Sequence, residues 1–216
     1  MTASAAALYE KFIKDYPTNL LDIEARYRLG ECRLAKGNPK EARRVWQDLL
    51  AKYPDSQSER IAEAAFNLSR TWGIPPAAAP GQPAPNAPAQ QTAQTDMAMS
   101  DENLSLGVAA LDAFIERFHA HKLASQAHLG IAQSYMAWGR YEDAVKSLKR
   151  YLDNPRYQDR QEIPDARNLS GRSYQLQKKF AEALTTWREY LATHPAHKAW
   201  SAVQQEILNT EYLMAQ

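Results

Sequence analysis

Five times along this chain the same order of side-chain sizes returns in phase. A small residue falls at Ala5, Ala42, Gly107, Ala144 and Ala183, and a bulky one follows at Tyr9, Trp46, Leu111, Leu148 and Trp187. An apolar couple comes next at Phe12-Ile13, Leu49-Leu50, Phe114-Ile115, Tyr151-Leu152 and Tyr190-Leu191. The terminating position then falls at Pro17, Pro54, His119, Arg156 and Pro195. Successive copies lie 37 or 39 residues apart, except for one step of 65.

The clearest copy is the stretch 23–54, IEARYRLGECRLAKGNPKEARRVWQDLLAKYP. Ala25, Leu29, Cys32, Leu34 and Ala35 recur at helical spacing, and Gly30 admits the close approach of a neighbouring backbone. Gly37-Asn38 supplies a turn. Pro39 opens a second helix at the position where a missing N–H costs nothing. Ala42, Val45, Trp46, Leu49 and Leu50 form its apolar face, and Tyr53-Pro54 stops it. The small position of the first helix recurs at Gly30, Ser69, Ala132 and Gly171. A hairpin of this size cannot bury its own apolar face, so it requires copies of itself alongside.

A period near 34 residues with two helices per period resembles the tetratricopeptide repeat family, over nearly the whole chain. The turn segment GRYEDA, Gly139 to Ala144, is its most family-like stretch. The resemblance implies an all-α fold, a right-handed α-solenoid of about four stacked helical hairpins. Residues 1–73 and 101–216 are read as one continuous solenoid, with a disordered Pro/Ala/Gln-rich loop at 74–100 inserted within a repeat. That loop holds Pro75, Pro76, Pro80, Pro83, Pro85 and Pro88, half of the 12 prolines. It carries no aromatic residue, so it cannot bury enough surface to order itself. Residues 1–16 match a second helix without its first, capped by Ser4 or Thr2, which suggests a piece of a longer protein. Residues 197–215 place Trp200, Val203, Ile207 and Tyr212 on one face and Leu208 at the small position.

Composition removes several classes of function. A net charge of +1, from 26 basic and 25 acidic residues, gives no basic excess for nucleic acid. No run reaches the ~18 apolar residues of a membrane span, and the N-terminus has no signal-peptide pattern. The five histidines, His119, His121, His128, His194 and His197, lack a clustered further ligand, so no metal is expected. Cys32 has no histidine in its repeat and is read as an inert core thiol. No phosphate loop and no nucleophile motif occurs, and acidic residues pair along helices, as Glu10 with Lys14. The chain is therefore expected to be no enzyme and to hold no cofactor. The basic run Lys146, Lys149, Arg150, Arg156 and Arg160 is offset by Glu142, Asp143, Asp153 and Asp159 and reads as a solvated face. Trp46 and Trp187 are assigned to the core.

What remains is the surface formed by the first helices, which in the family this chain resembles lines a groove for extended peptides or helices. Carried over by position, its residues are Glu24, Tyr27, Glu31, Glu63, Phe66, Arg70, Gln126, Leu129, Gln133, Met136, Asp165, Asn168, Arg172 and Gln175. Mixed aromatic, charged and amide side chains suit recognition of a peptide backbone. The Lys and Asn by which chaperone-binding members clamp a terminal carboxylate are replaced by Tyr27 with Glu31 and Phe66 with Arg70. The expected partner is a protein or peptide. The wording ALYEKFIKDYP and VWQDLLAKYPDS also looks like repeats of bacterial cell-envelope proteins, namely outer-membrane assembly lipoproteins and the regions preceding macroglobulin-type domains. That resemblance implies a module of a larger periplasmic or envelope protein.

Overall fold

The computed structural model describes residues 4–74 and 100–215, and every regular element among them is helical. Residues 75–99 of the insertion expected to be disordered, and the alternative cap at Thr2, lie outside the described residues. The chain divides into two compact units, one holding the described residues 4–74 and 100–124, the other 125–215.

The first unit contains α1 (Ala5–Asp15), α2 (Asp22–Ala35), α3 (Pro39–Lys52), α4 (Glu59–Asn67) and α5 (Asp101–Arg117). After α4 the chain tightens into a 3-10 turn at Leu68–Trp72. α2 packs on α1 and α3, α4 packs on α2 and α3, and α5 packs on α4 and the 3-10 turn. The second unit contains α6 (Ala124–Ala137), α7 (Tyr141–Leu152), a 3-10 turn at Pro155–Tyr157, α8 (Ile163–Leu176), α9 (Phe180–Thr193) and α10 (Trp200–Met214). α8 packs on α7 and α9, and α9 on α10.

Each hairpin turn is built the same way. The first helix ends with one residue in the left-handed region: Gly37 at φ 76°, Gly73 at φ 84°, Gly139 at φ 69° and Lys178 at φ 59°. The next amide reaches back five residues: Asn38 N to Arg33 O (2.9 Å), Ile74 N to Ser69 O (3.3 Å), Arg140 N to Tyr135 O (2.9 Å) and Lys179 N to Tyr174 O (3.0 Å). These bonds satisfy carbonyls that the helix end leaves without partners. Lys178 alone does this with a Cβ. Four of the second helices, α1, α3, α5 and α9, also end alike, on Tyr16, Tyr53, Phe118 and His194, whose N–H groups donate to Phe12 O, Leu49 O, Phe114 O and Tyr190 O, while α7 ends on Asp153 in the helical region. At Tyr16, Tyr53 and His194 a proline or a proline-containing turn follows, and proline pushes its predecessor out of the helical region.

The helices of a hairpin meet through a size match. Trp46 is fully buried, and its indole lies where a Cβ on Gly30 would be, with Nε1 donating to Tyr27 O at 3.2 Å. Trp187 repeats this on Gly171, with Nε1 donating to Asn168 O at 3.3 Å and Asn168 Oδ1 at 3.1 Å. Gly30 thus makes room for a side chain and not, as expected, for a backbone. In the α6–α7 pair the same two positions hold Ala132 and Leu148, both fully buried.

Burial does not follow helical spacing everywhere. At the start of α1 it is Ala6 that is buried, while Ala5 is exposed. Trp72 is only half-buried, with the Arg43 guanidinium covering one face of its ring (3.0 Å to the centroid) while donating to Thr71 Oγ1 and Thr71 O. Cys32 is half-buried, and Leu176 is exposed at the end of α8. In α10, Val203, Ile207 and Thr210 face inward while Tyr212 is exposed, because helical spacing turns position 212 away from that stripe.

Two outcomes follow from this geometry. Gly171→Ala should destabilise the fold by about 1–3 kcal/mol through overpacking against Trp187, and adding Trp187→Leu should recover part of that loss, since the same two positions of α6 and α7 hold Ala132 and Leu148, both fully buried. Lys178→Gly should raise stability by about 1 kcal/mol by removing the left-handed Cβ penalty. Denaturant unfolding of the variants checks both.

Candidate interaction face

In the first unit α2 and α4 stand side by side, and their facing side chains form one ionic lattice. Glu24 Oε1 accepts from Arg28 Nε at 2.7 Å and Glu24 Oε2 from Arg60 Nε at 2.6 Å. Arg28 Nη1 donates to Glu31 Oε2 at 2.8 Å, and Arg60 Nη1 to Glu63 Oε2. Tyr27 sits beneath, with its hydroxyl donating to Glu31 Oε1 at 3.0 Å and the Arg60 guanidinium 5.0 Å from its ring centroid. Burial pushes the Tyr27 phenol far up, and Glu31 and Glu63 push it the same way. Burial would also raise the Glu24 carboxyl, but Arg28 and Arg60 outweigh it and hold the group below its ordinary range. Spacing puts charges of opposite sign three or four residues apart on one helix, and the neighbouring helix closes the lattice.

The fourteen residues expected to line a groove divide by burial. Tyr27, Phe66 and Leu129 are buried. Phe66 meets the Phe114 ring edge-on at 5.4 Å, so it packs between α4 and α5. Asn168 is held by the Trp187 indole. Gln175 reaches α10, with Nε2 donating to Thr210 Oγ1 at 2.9 Å and Glu206 Oε2 at 3.3 Å. Asp165 Oδ1 lies 3.8 Å from His197 Nε2. Gln126, Gln133, Met136 and Arg172 are half-buried, and Arg70 is exposed, donating to Asn67 Oδ1.

One residue that the sequence reading passed over organises the start of α2. Asp22 is fully buried. Its carboxylate accepts from Arg26 Nε at 3.0 and 2.9 Å, from Lys52 Nζ at 2.8 Å and from the Tyr53 hydroxyl at 2.8 Å. Lys52 Nζ also donates to Pro17 O. Burial alone would raise this carboxyl, but Lys52, Arg26 and Tyr53 outweigh it and leave it lowered. Nothing in residues 22–26 marks Asp22 as buried. Lys52 and Tyr53 lie 30 and 31 residues further on, where no helical spacing reveals the pairing. Leu8, Tyr9 and Phe12 of α1 with Leu21, Glu24 and Ala25 line an apolar recess of about 290 Å³.

The remaining candidates have local partners. Glu10, expected beside Lys14, pairs with Arg33 of α2, while Lys11 pairs with Asp15. His121 Nε2 lies 3.0 Å from Glu59 Oε2, and its Nδ1 accepts from Leu123 N. His197 Nδ1 lies 2.6 Å from the Tyr190 hydroxyl, and His194 Nδ1 2.6 Å from Thr193 Oγ1. Among the described residues no three His, Cys, Asp or Glu side chains gather as they would around a metal. Lys146 pairs with Glu142, Lys149 with Asp153 and Arg140 with Asp143. Among the described residues no helix is long and apolar enough to cross a membrane.

In-phase hairpins with a shared turn, a shared stop and a small-on-large contact define a helical repeat protein. A tetratricopeptide repeat model matches residues 24–56 and 169–197, and a second model of that repeat matches 96–159. Together they cover more than half of the chain, which belongs to the tetratricopeptide repeat family. Proteins of this family generally bind other proteins. No curated protein matches the sequence. Among solved structures, a kinesin light chain protein of Podosopora anserina with nearly identical TPR-like repeats matches with a TM-score of 0.55 at 13% identity. That match covers 92% of this chain and 90% of that one. The MamA protein matches with a TM-score of 0.55 at 16% identity, covering 88% of this chain and 81% of the other. At these identities the likeness establishes the fold.

Asp22→Ala should cost about 3–5 kcal/mol, because Lys52 and Arg26 would lose their buried counter-charge. The folded Asp22 carboxyl binds its proton less tightly than the unfolded one. Its contribution is therefore complete above the ordinary Asp pKa of about 3.9 and is lost as the pH falls below that value. Unfolding curves of wild type and variant between pH 7 and pH 3 should converge toward the acid end.

Proposed function

We propose that this chain is a non-catalytic scaffold that holds a peptide or helix of a partner protein along the first helices of its hairpins. The observation that carries this reading is the chemistry of that face within each unit. In the second unit Gln126 and Met136 of α6 and Arg172 of α8, all half-buried, carry an amide, a thioether and a guanidinium. Amides that donate and accept in one side chain suit a peptide backbone, and a half-buried Met fits irregular apolar anchors. In the first unit the Glu24–Arg28–Arg60–Glu63 lattice presents both signs of charge on a pre-ordered surface, which lowers the ordering cost of a polar contact. Tyr27, Phe66 and Leu129 support this face from beneath.

Peptides selected from a random display library on the intact chain provide the probe. Arg70→Glu in one unit and Arg172→Glu in the other should leave the helical circular dichroism unchanged. At least one of them should weaken the selected peptide about tenfold or more, the scale of one charge-assisted contact. Full affinity in both variants, measured by calorimetry, would defeat the groove assignment.

A second reading, that these residues are a module of a larger cell-envelope protein, is supported by the wording of α1 and α3. The intact mass of the native protein in its source cells, set against the 24.4 kDa of this chain, decides it.

A further inference from the structure

We propose that the segment 153–162 is an acid-released lid over His128, held shut by the contact of Tyr157 with the neutral imidazole ring. The segment is longer than the other turns that follow a second helix. His128, on α6, is only 2% exposed. Its ring stacks on Tyr151 of α7 (centroids 4.8 Å apart, planes at 27°) and takes Tyr157 edge-on at 5.1 Å. Tyr151 and Tyr157 also touch each other, at 5.1 Å. Neither imidazole nitrogen has a hydrogen-bond partner among the described residues.

Within the segment the buried residues are Tyr157, at 1% exposure, and Glu162, at 5%, where the segment meets α8. The backbone hydrogen bonds described for the segment are internal to it or reach the end of α7 and the start of α8. Tyr157 N donates to Asn154 O, Arg160 N to Tyr157 O, and Gln158 Nε2 to Leu152 O and Asn154 O. They shape the turn, while the Tyr157 ring joins it to α6.

The charged groups around this contact are mostly cationic. Arg150 of α7 acts on the His128 ring, Arg156 and Arg160 flank Tyr157, and Glu162 at the head of α8 acts on Tyr151. A protonated His128 would be a buried cation without an acceptor, beside arginines. Burial, and secondarily Arg150, therefore push its pKa down to about 4. Opening the lid returns the ring to water and to an ordinary pKa of about 6.5. The open form then binds the proton more tightly than the closed form. Closure is at full strength above about pH 6.5 and weakens as the pH falls toward 4.

Hydrogen exchange on the intact chain at pH 7.5 and pH 5, compared as protection factors, tests this. The amides of Tyr157, Arg160 and Ile163 should lose protection roughly thirty-fold at the lower pH. Those of Lys178 and Lys179, in the turn after α8, should keep theirs. His128→Phe should hold the segment's protection constant between the two conditions. Unchanged protection in the wild type overturns the lid, and so does a parallel loss at Lys178 and Lys179, which would mean acid unfolding of the whole unit. If the Phe variant does not fold, an NMR titration of His128 in the wild type decides. A ring that titrates near pH 6.5 overturns the proposal, and one that titrates well below it as the segment loses protection upholds it.

Discussion

A tryptophan resting on a glycine is the contact on which each of the best-formed hairpins depends. Trp46 and Trp187 are fully buried, and each indole occupies space that any side chain on Gly30 or Gly171 would fill. The indole N–H also donates to a carbonyl of the first helix, so one side chain fixes both the separation and the register of the pair. Burying an indole is worth several kcal/mol, but only if its N–H is satisfied. The glycine weakens its helix slightly and is retained because the packing gain is larger. In α6 and α7 the same two positions hold Ala132 and Leu148, both fully buried, so one residue is larger as the other is smaller. Close-packed interiors favour that compensation of volume.

The spacing of small, bulky and terminating residues made the hairpins, their turns and their stops legible, because each is a local event. A glycine two residues before the second helix signals a left-handed cap, and a proline or aromatic at the end signals a stop. Lys178 hid the fourth cap because lysine carries no left-handed signal; only its register with Gly37 and Gly139 gives it away. The partner of Gly30 was misread for a related reason, since a missing side chain says that something comes close without saying what. Tyr212 was misassigned because a face read from spacing alone carries an uncertainty of one residue, which on a helix is about 100°.

The candidate site was legible as a set of helix faces and not as a set of contacts. Glu24, Glu31 and Glu63 were marked as exposed recognition residues, yet each is tied to an arginine, and Arg60 joins two helices 36 residues apart in sequence. Asp22 was not marked at all. A buried carboxylate shows itself only when its cations arrive from another helix, and here Lys52 and Tyr53 come from the end of α3. His128 was weighed as a metal ligand and set aside, but its neighbours, two tyrosine rings, were not foreseeable from an alignment of repeats.

For the binding proposed above, these long-range pairings sort each unit's face by stiffness. Side chains locked in the α2–α4 lattice have already given up rotamer freedom, so a partner that exchanges one ion pair for another gains little beyond geometry. Half-buried side chains such as Gln126, Met136 and Arg172 keep more of that freedom and must be ordered when a partner arrives, yet their polar groups give up fewer bonds to do so. In the proposed function, specificity for sequence is the contribution of the lattice, which rejects charges of the wrong sign at fixed places. Adaptability is the contribution of the amides and the thioether. A single repeat consensus supplies neither property. Both come from the positions at which the copies of this chain differ while their glycines, tryptophans and caps stay in phase.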